Sequence, residues 1–203
     1  MKKELKYFSI DGSYGSSQDW FSNFVMHMGG CAAVTACDSC IYLARTFNMT
    51  QLYPYNSADI TQADFVSFGM MMKPYLKPRM GGVNKLSIYE EGFGKYLADK
   101  KAAMTLHGFP GGNTLKTAGA FIKKQIDGGI LIPYLLLKHQ SPRLKDFVWH
   151  WFVLTGYEQT ADNFSVMIAT YGKRFVFPLK ELWDTGYEQK GGMVEIRIPA
   201  SHM

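Results

Sequence analysis

The stretch MGGCAAVTACDSCIYLA, residues 28–44, holds all three cysteines of the chain within a short interval. Cys31 follows two glycines, and the small and apolar residues after it predict a helix from about Cys31 to Phe47. Cys37 and Cys40 form a C-x-x-C pair inside this helix. Three interpretations have to be separated: a nucleophile, a metal or redox site, and a helix with buried thiols.

The spacing of the apolar residues favours buried thiols at the C-x-x-C pair. One stripe of the helix is formed by Ala33, Cys37, Cys40, Ile41 and Ala44. Cys37 and Cys40 are therefore expected to behave as small hydrophobic residues. A redox C-x-x-C usually begins at a helix N-terminus, and a structural zinc site needs four ligands. Cys31 and His27 would have to complete a zinc site at unusual spacing. We therefore expect neither a metal nor a cofactor, and a metal site and a redox pair remain the alternatives.

Cys31 differs from the other two cysteines because it opens the helix. It lies on a more polar line of the helix, with Thr35, Asp38 and Tyr42. Free N–H groups at a helix N-terminus stabilise a thiolate, which is the reactive form of cysteine. The two preceding glycines allow a substrate to approach the backbone closely. Cys31 is thus a candidate nucleophile, and such a nucleophile needs a base.

His150 is the candidate base. It starts the β-rich run VWHWFVLTGY, residues 148–157, whereas the other histidines fall in predicted loops or at the chain end: His27, His107, His139 and His202. A base on a rigid strand that faces a helix N-terminus is the arrangement a Cys/His pair requires. The alternative is a packed, hydrogen-bonded core histidine.

Composition and charge narrow the class of protein. The 203 residues suit a single domain, 1–203, with 47% hydrophobic and 19% charged residues. The net charge of +5 comes from scattered lysines, so no nucleic-acid partner is expected. No apolar run is long enough for a signal peptide or a membrane span. The chain is expected to be cytoplasmic, or secreted if a leader preceded it, and its oligomeric state stays open.

The order of predicted elements indicates an α+β protein. Helices are predicted in the first two thirds, over ITQADFVSFGMMM capped by Ser57 or Asp59, IYEEGFGKYLADKKAAM, and LKTAGAFIKKQI capped by Asn113 or Thr114. HGFPGGN, residues 107–113, is predicted as a turn. Strands are predicted in the last third, over ILIPYLLL, a hairpin of 148–157 with 163–172, KRFVFPL and MVEIRI. Helices and strands therefore segregate along the chain instead of alternating.

The sequence resembles the papain-like cysteine peptidases, and most closely the bacterial branch related to the bacteriocin-leader-processing peptidases. Gly30-Cys31-Ala32 matches the family's Gly-Cys-Gly at the start of the long helix, with alanine in place of the second glycine. His150-Trp151-Phe152-Val153-Leu154-Thr155-Gly156 matches the family's histidine strand. The resemblance covers residues 15–47 and 119–172. It implies a helical part carrying the cysteine, an antiparallel sheet carrying the histidine, and a cleft between them.

The resemblance also implies two accessory residues. The family places a side-chain donor, usually glutamine, ahead of the cysteine to bind the oxyanion, and Gln18 is the match. An Asn or Asp normally orients the histidine, but Ala169 stands where the asparagine would be. If the hairpin is centred near Ala161, Thr170 pairs with Phe152 and shares a face with His150, so Thr170 is the candidate partner of the imidazole.

The sequence thus predicts a cysteine peptidase that acts on a peptide or protein substrate, with Cys31, His150, Gln18 and Thr170 as site residues. Cys31 would form a thioester, and His150 would act as general acid and base. Two alternatives remain: a transferase or amidase that uses the same thioester, and a catalytically degenerate papain-like binding protein, which the missing Asn/Asp favours.

Overall fold

The computed structural model describes residues 1–199, and His202 lies outside them. The helices are α1 (Phe24–Gly29), α2 (Cys31–Thr46), α3 (Gln62–Met72), α4 (Leu86–Asp99), α5 (Leu115–Asp127) and α6 (Leu179–Trp183). The strands are β1 (Lys2–Glu4), β2 (Ser9–Ile10), β3 (Ser13–Tyr14), β4 (Thr105–Pro110), β5 (Ile132–Leu136), β6 (His150–Gln159), β7 (Phe164–Thr170), β8 (Lys173–Pro178) and β9 (Gly191–Arg197). The predicted α+β class is confirmed.

The main sheet is antiparallel, with strand order β4-β9-β5-β6-β7-β8. On one side of β6, β5 pairs with its first half and β1 pairs with residues 156–158. The small β2–β3 hairpin forms a separate two-stranded sheet. Strand β6 is therefore held by three other strands along its length, which makes it a rigid support for the residue at its start, His150.

The β6–β7 hairpin has the register that the sequence predicts for its first half. Val153 pairs with Ala169 and Leu154 with Ile168, which is the register of a turn centred near Ala161. Beyond Leu154 a bulge at Thr155 shifts the pairing, so that Gly156 faces Met167. The bulge lies on the turn side of the site, and the strand ends that carry His150 and Thr170 keep the predicted alignment.

Helix α2 is buried on all sides from Cys31 to Ala44. Cys37 and Cys40 are fully buried free thiols, as the apolar stripe predicts. The supposedly more polar line is buried as well, because β6 and α3 pack on different sides of the helix. Buried side chains from the helices and from the sheet form one continuous hydrophobic cluster around it. A helix buried on every face must be rich in small and apolar residues, and residues 31–44 are.

Helix caps agree with the sequence in one case and differ in another. Thr114 caps α5, with its hydroxyl accepting the Thr117 N–H, as expected. Helix α3 is capped by Thr61 and not by Ser57 or Asp59. Thr61 is followed three residues later by Asp64, whose N–H and carboxylate both bond the threonine hydroxyl. This local pairing satisfies the first turn and moves the helix start downstream of the predicted caps.

The predicted separation of helices and strands along the chain is incomplete. Residues 105–110 form strand β4 at the edge of the sheet. Residues 107–110 of this strand were expected in a turn, so His107 lies in a strand and not in a loop. Most of its side chains are exposed, so it lacks the apolar pattern that reveals a strand. Its backbone is ordered by pairing with β9, and Pro110 is tolerated at its end because β4 is an edge strand.

Candidate functional site

Cys31 is the first residue of α2, where the sequence places it. Gly30 is the N-cap, and no side chain caps the helix. Among residues 1–199, the Cys31 N–H donates to no backbone carbonyl of another element. The thiol itself is buried, with 5% of the residue exposed. Cys31 therefore presents a free N–H beside its own sulfur, which is the geometry that an oxyanion site requires.

Gly30 is required by close packing against α1. A Cβ added at Gly30 would lie 2.5 Å from the carbonyl oxygen of Met26, whereas a Cβ on Gly29 would make only an ordinary contact with Pro78 at 3.5 Å. Both glycines were expected to allow a substrate to approach the backbone. At Gly30, the structure gives a different reason for glycine, which is the close contact with α1. The tight junction of α1 and α2 fixes where Cys31 begins the helix.

The Gly30→Ala variant is expected to lose about 2 kcal/mol of unfolding free energy, because the Met26 carbonyl belongs to helix backbone and has little room to move. Urea unfolding followed by circular dichroism measures the loss. The matched control is Gly94→Ala in α4, where a new Cβ meets nothing within 4 Å. That variant should gain stability by up to about 1 kcal/mol. Equal effects at both positions would contradict the close-packing argument.

His150 is the first residue of β6 and is buried. Its Nε2 lies 2.8 Å from the hydroxyl oxygen of Thr170, the last residue of β7, so the contact predicted between these two side chains is present. Burial lowers the pKa of His150 to about 4, and the imidazole is neutral at pH 7. Because Nε2 is engaged with Thr170, Nδ1 is the ring nitrogen left for a reacting group.

Tyr171 covers the imidazole, a role that was not predicted from the sequence. Its ring stacks on His150 with centroids 4.6 Å apart and planes 3° from parallel. Tyr171 and Gly172 form the two-residue turn between β7 and β8, with φ of 52° and 67°. Both values are positive, as in a type I′ turn, and a tyrosine there is strained. The signal available in the sequence was an aromatic residue before a glycine, between two strands, directly after Thr170.

Replacing Tyr171 by glycine is expected to raise the His150 pKa from about 4 toward the ordinary value of about 6.5, because it removes the ring that shields one face of the imidazole. Glycine also accepts the positive φ without strain, so the turn should persist. NMR titration of the His150 ring protons measures the shift. Tyr171→Phe is the matched control, since it keeps the stacked ring and loses only the hydroxyl bond to the Asp146 carbonyl. If the His150 pKa were unchanged in the glycine variant, residues other than Tyr171 would be responsible for burying the imidazole.

Helix α2, which begins with Cys31, packs on strand β6, which begins with His150. Burial raises the pKa of the Cys31 thiol, and the nearby backbone N–H of Trp151, next to His150, opposes this rise. The Trp151 indole N–H donates to the Val83 carbonyl at 2.6 Å, which ties the segment before α4 to the same place. Burial raises the pKa of Tyr171 to about 12, and the nearby Cys31 thiol adds to this rise. The cysteine, the histidine strand and the covering tyrosine are thus neighbours.

The electrostatics of the thiol differ from the sequence expectation. Burial raises the Cys31 pKa, and the N–H groups of Trp151, Ala32 and Cys31 lower it by less. The predicted stabilised thiolate is therefore wrong for this arrangement. With the His150 pKa lowered as well, both the Cys31 thiol and the His150 imidazole are neutral at pH 7. Among residues 1–199, no hydrogen bond joins the Cys31 sulfur to the His150 ring.

Gln18 is close to the start of α2 but its amide is partly engaged. It lies in a short 3₁₀ turn, Gln18–Trp20, and its Nε2 donates to the His27 carbonyl in α1. Its Oε1 is buried and has no hydrogen-bond partner in the described part of the chain. One N–H of the amide remains for another acceptor. These contacts neither place the Gln18 amide in an oxyanion site nor prevent it from acting in one.

The Gln18 segment is bonded to the turn that carries Tyr171. The Gly172 N–H donates to the Ser16 carbonyl at 2.7 Å, and the Gly172 carbonyl accepts the Tyr14 N–H at 2.9 Å. Because Thr170 and Tyr171 precede Gly172, this pairing brings Gln18 to the same end of the sheet as His150. Gln18 therefore lies toward the end of the sheet that carries His150 and Thr170, while no hydrogen bond within residues 1–199 joins Gln18 to Cys31 or His150.

Comparison with known proteins does not assign this site. No protein-family model matches the chain, and no similar curated protein or solved structure was found. Among residues 1–199, no three His, Cys, Asp or Glu side chains cluster closely enough to hold a metal ion. In the same part of the chain, no helix has the length and apolar character needed to cross a membrane. The geometry of the site is therefore the basis for any functional assignment.

Proposed function

We propose that the protein is a cysteine peptidase of papain-like architecture, with Cys31 as nucleophile and His150 as general base and acid. One observation carries the proposal: a helix that begins with a cysteine packs on a strand that begins with a histidine, and that histidine bonds Thr170 at 2.8 Å. A nucleophile, a base and a group that orients the base are the parts that nucleophilic acyl transfer needs.

The chemistry follows from the hydrogen bond at Nε2. We assign Thr170 Oγ1 as the acceptor of this bond, which places the proton of the neutral imidazole on Nε2 and leaves Nδ1 as the base. As the Cys31 sulfur bonds the peptide carbonyl carbon, the thiol proton passes to Nδ1 and the carbonyl electron pair moves to oxygen. Nδ1 then protonates the leaving nitrogen, and the C–N bond breaks to give a thioester and an amine.

Hydrolysis of the thioester repeats the same proton transfer. Nδ1 takes a proton from water as the water oxygen bonds the acyl carbon, and the proton returns to sulfur when the C–S bond breaks. The Cys31 N–H and the remaining amide N–H of Gln18 are the donors proposed for the oxyanion. The raised thiol pKa and the lowered imidazole pKa favour this general-base route over a preformed ion pair.

The experiment that tests the proposal is digestion of a mixed peptide library in water enriched in ¹⁸O, read by mass spectrometry. A peptidase gives new amino termini and new carboxyl groups that carry one ¹⁸O atom. A transferase that uses the same thioester gives amide products without ¹⁸O. Pretreatment with iodoacetamide at alkaline pH, with the modified sulfur mapped to Cys31, should remove either activity. Products that persist after complete modification of Cys31 would reject both.

A non-catalytic peptide-binding protein on the same scaffold is the second candidate. It is favoured by the burial of both Cys31 and His150, with 5% and 6% of each residue exposed. The single hydrogen bond of the His150 ring within residues 1–199 goes to an uncharged hydroxyl, which orients the ring less firmly than a carboxylate. Retention of library peptides without any cleavage would support this candidate.

A further inference from the structure

One face of the molecule carries projecting apolar side chains. We call it the Met80 face and define it by Phe24, Val25, Met28, Met70, Met71 and Met80. Phe24, Met28 and Met80 are 74%, 66% and 104% exposed, so they extend beyond the surface around them. Large apolar side chains with this exposure, gathered in one region, mark an interaction surface more often than isolated ones do.

The six residues come from three segments that contact one another. The Lys73 ammonium, directly after α3, donates to the side-chain oxygen of Asn23, the N-cap of α1, at 3.2 Å. At the other end of α1, Gly29 packs against Pro78, two residues before Met80. Helix α1 therefore lies between the end of α3 and the loop of residues 77–82. The three segments that carry the Met80 face are therefore adjacent, and α1 leads directly into α2.

The charges within the two segments that form the Met80 face are all positive. The segments 20–37 and 65–89, which contribute all six residues, contain no aspartate or glutamate. They contain four cations: Lys73, Lys77, Arg79 and Lys85. Acidic residues border these segments, among them Asp64, which directly precedes one of them, and Asp99, which accepts the Tyr75 hydroxyl. Elsewhere the chain has 17 acidic residues, so this absence is local. Projecting apolar groups edged by cations are the combination that binds the surface of an anionic bilayer.

We propose that the Met80 face binds anionic lipid membranes peripherally, with Phe24, Met28 and Met80 inserted among the acyl chains and the cations at the headgroups. A rigid protein partner would need matching pockets for side chains that project this far, whereas a bilayer deforms around them. The cations exclude a purely apolar partner and select a negatively charged surface. This binding needs no helix that crosses the membrane, and it does not depend on the peptidase proposal.

Sedimentation with vesicles tests the proposal. The full chain should bind vesicles of phosphatidylcholine containing about one third phosphatidylglycerol, bind pure phosphatidylcholine vesicles at least about tenfold less, and dissociate in high salt. The triple variant Phe24→Ser/Met28→Ser/Met80→Ser should lose at least about tenfold in binding to the anionic vesicles. In a Met80→Trp variant, brominated lipid should quench the added tryptophan fluorescence.

A second triple variant tests whether the loss of any three exposed apolar side chains would lower vesicle binding. Leu115→Ser/Val176→Ser/Tyr187→Ser removes apolar side chains that are also exposed but lie elsewhere, and its vesicle binding should equal that of the wild type. Thermal unfolding establishes that both variants fold. Absence of wild-type binding to anionic vesicles would overturn the proposal. Equal losses of vesicle binding in the two triple variants would also overturn it. The same holds if the protein forms a dimer through the Met80 face and does not bind vesicles.

Discussion

Replacing Cys31 by alanine is expected to abolish peptide cleavage, with a loss of about a thousandfold or more in kcat/KM. The reason is that the thioester cannot form without the sulfur, and binding and oxyanion contacts alone leave only a small residual rate. The library digest with ¹⁸O water measures this loss. The fold should persist, because the change removes one buried sulfur atom at a helix end and leaves Gly30 and the α1 junction intact.

Cys37 and Cys40 supply matched controls within the same helix. Both are buried free thiols, and neither lies at the helix N-terminus. Cys37→Ala and Cys40→Ala should lower stability by about 1 kcal/mol or slightly more through lost packing, while kcat/KM changes little. Full activity of Cys31→Ala would disprove the mechanism. Loss of activity in all three variants, with intact folding, would point to a role for the helix as a whole.

Asp38→Asn is expected to stabilise the protein at pH 8. Asp38 lies inside α2 and is buried, with the Tyr7 hydroxyl donating to Oδ2 at 2.9 Å. Its Oδ1 and the nearby Ser16 hydroxyl have no well-formed hydrogen bond in the described residues. Burial raises the Asp38 pKa to about 7, above its ordinary value of 3.8. A carboxylate in this position is costly when it is ionised.

The sign of the pH dependence follows from this pKa. The folded state keeps its proton up to about pH 7, whereas the unfolded chain loses it near pH 4. The folded state therefore binds more protons between these values, and unfolding free energy falls as pH rises from about 4 to about 7. The penalty above pH 7 is at most about 4 kcal/mol, since a pKa difference of one corresponds to about 1.4 kcal/mol. Asparagine has no such penalty and offers an N–H to the Ser16 hydroxyl.

Urea unfolding of the wild type and of Asp38→Asn at pH 4.5 and pH 8 measures the effect. The variant should be more stable than the wild type at pH 8, and the two should be similar at pH 4.5. Asp162→Asn, at an exposed position in the β6–β7 turn, is the control and should leave both values unchanged. A variant that is destabilised at pH 8 would mean that the ionised carboxylate is better solvated than the structure indicates.

The sequence predicted the elements that have strong local patterns. The start of α2, the buried strand β5 and the β6–β7 hairpin were found from periodicity, and the contact of His150 with Thr170 followed from the register. Strand β4 was missed because pairing with β9 orders it, and pairing leaves no apolar pattern in an exposed edge strand. Local patterns report burial of side chains and say little about backbone partners.

The electrostatic state of the site was beyond prediction from the sequence. A helix N-terminus favours a thiolate, and that rule led to the expectation of a lowered Cys31 pKa. The actual balance depends on how completely neighbouring elements exclude water, and Tyr171 is one of the covering residues at His150. The stacking of Tyr171 depends on a strained turn that is itself bonded to the distant segment at Ser16. Packing between segments that are distant in the chain leaves no pattern in the spacing of residues, so it could not be predicted from the sequence.

The hydrogen bond that joins Ser16 to Gly172 also bears on how the protein is made. Cys31 comes well before its base, His150, and the covering turn at Tyr171 in the chain. During synthesis, Cys31 therefore leaves the ribosome long before the strands that complete its surroundings. Contacts between such distant segments form slowly. The nascent chain thus carries an exposed Cys31 thiol until these strands follow, and any reactivity that requires His150 arises only once β6 and β7 have joined the sheet.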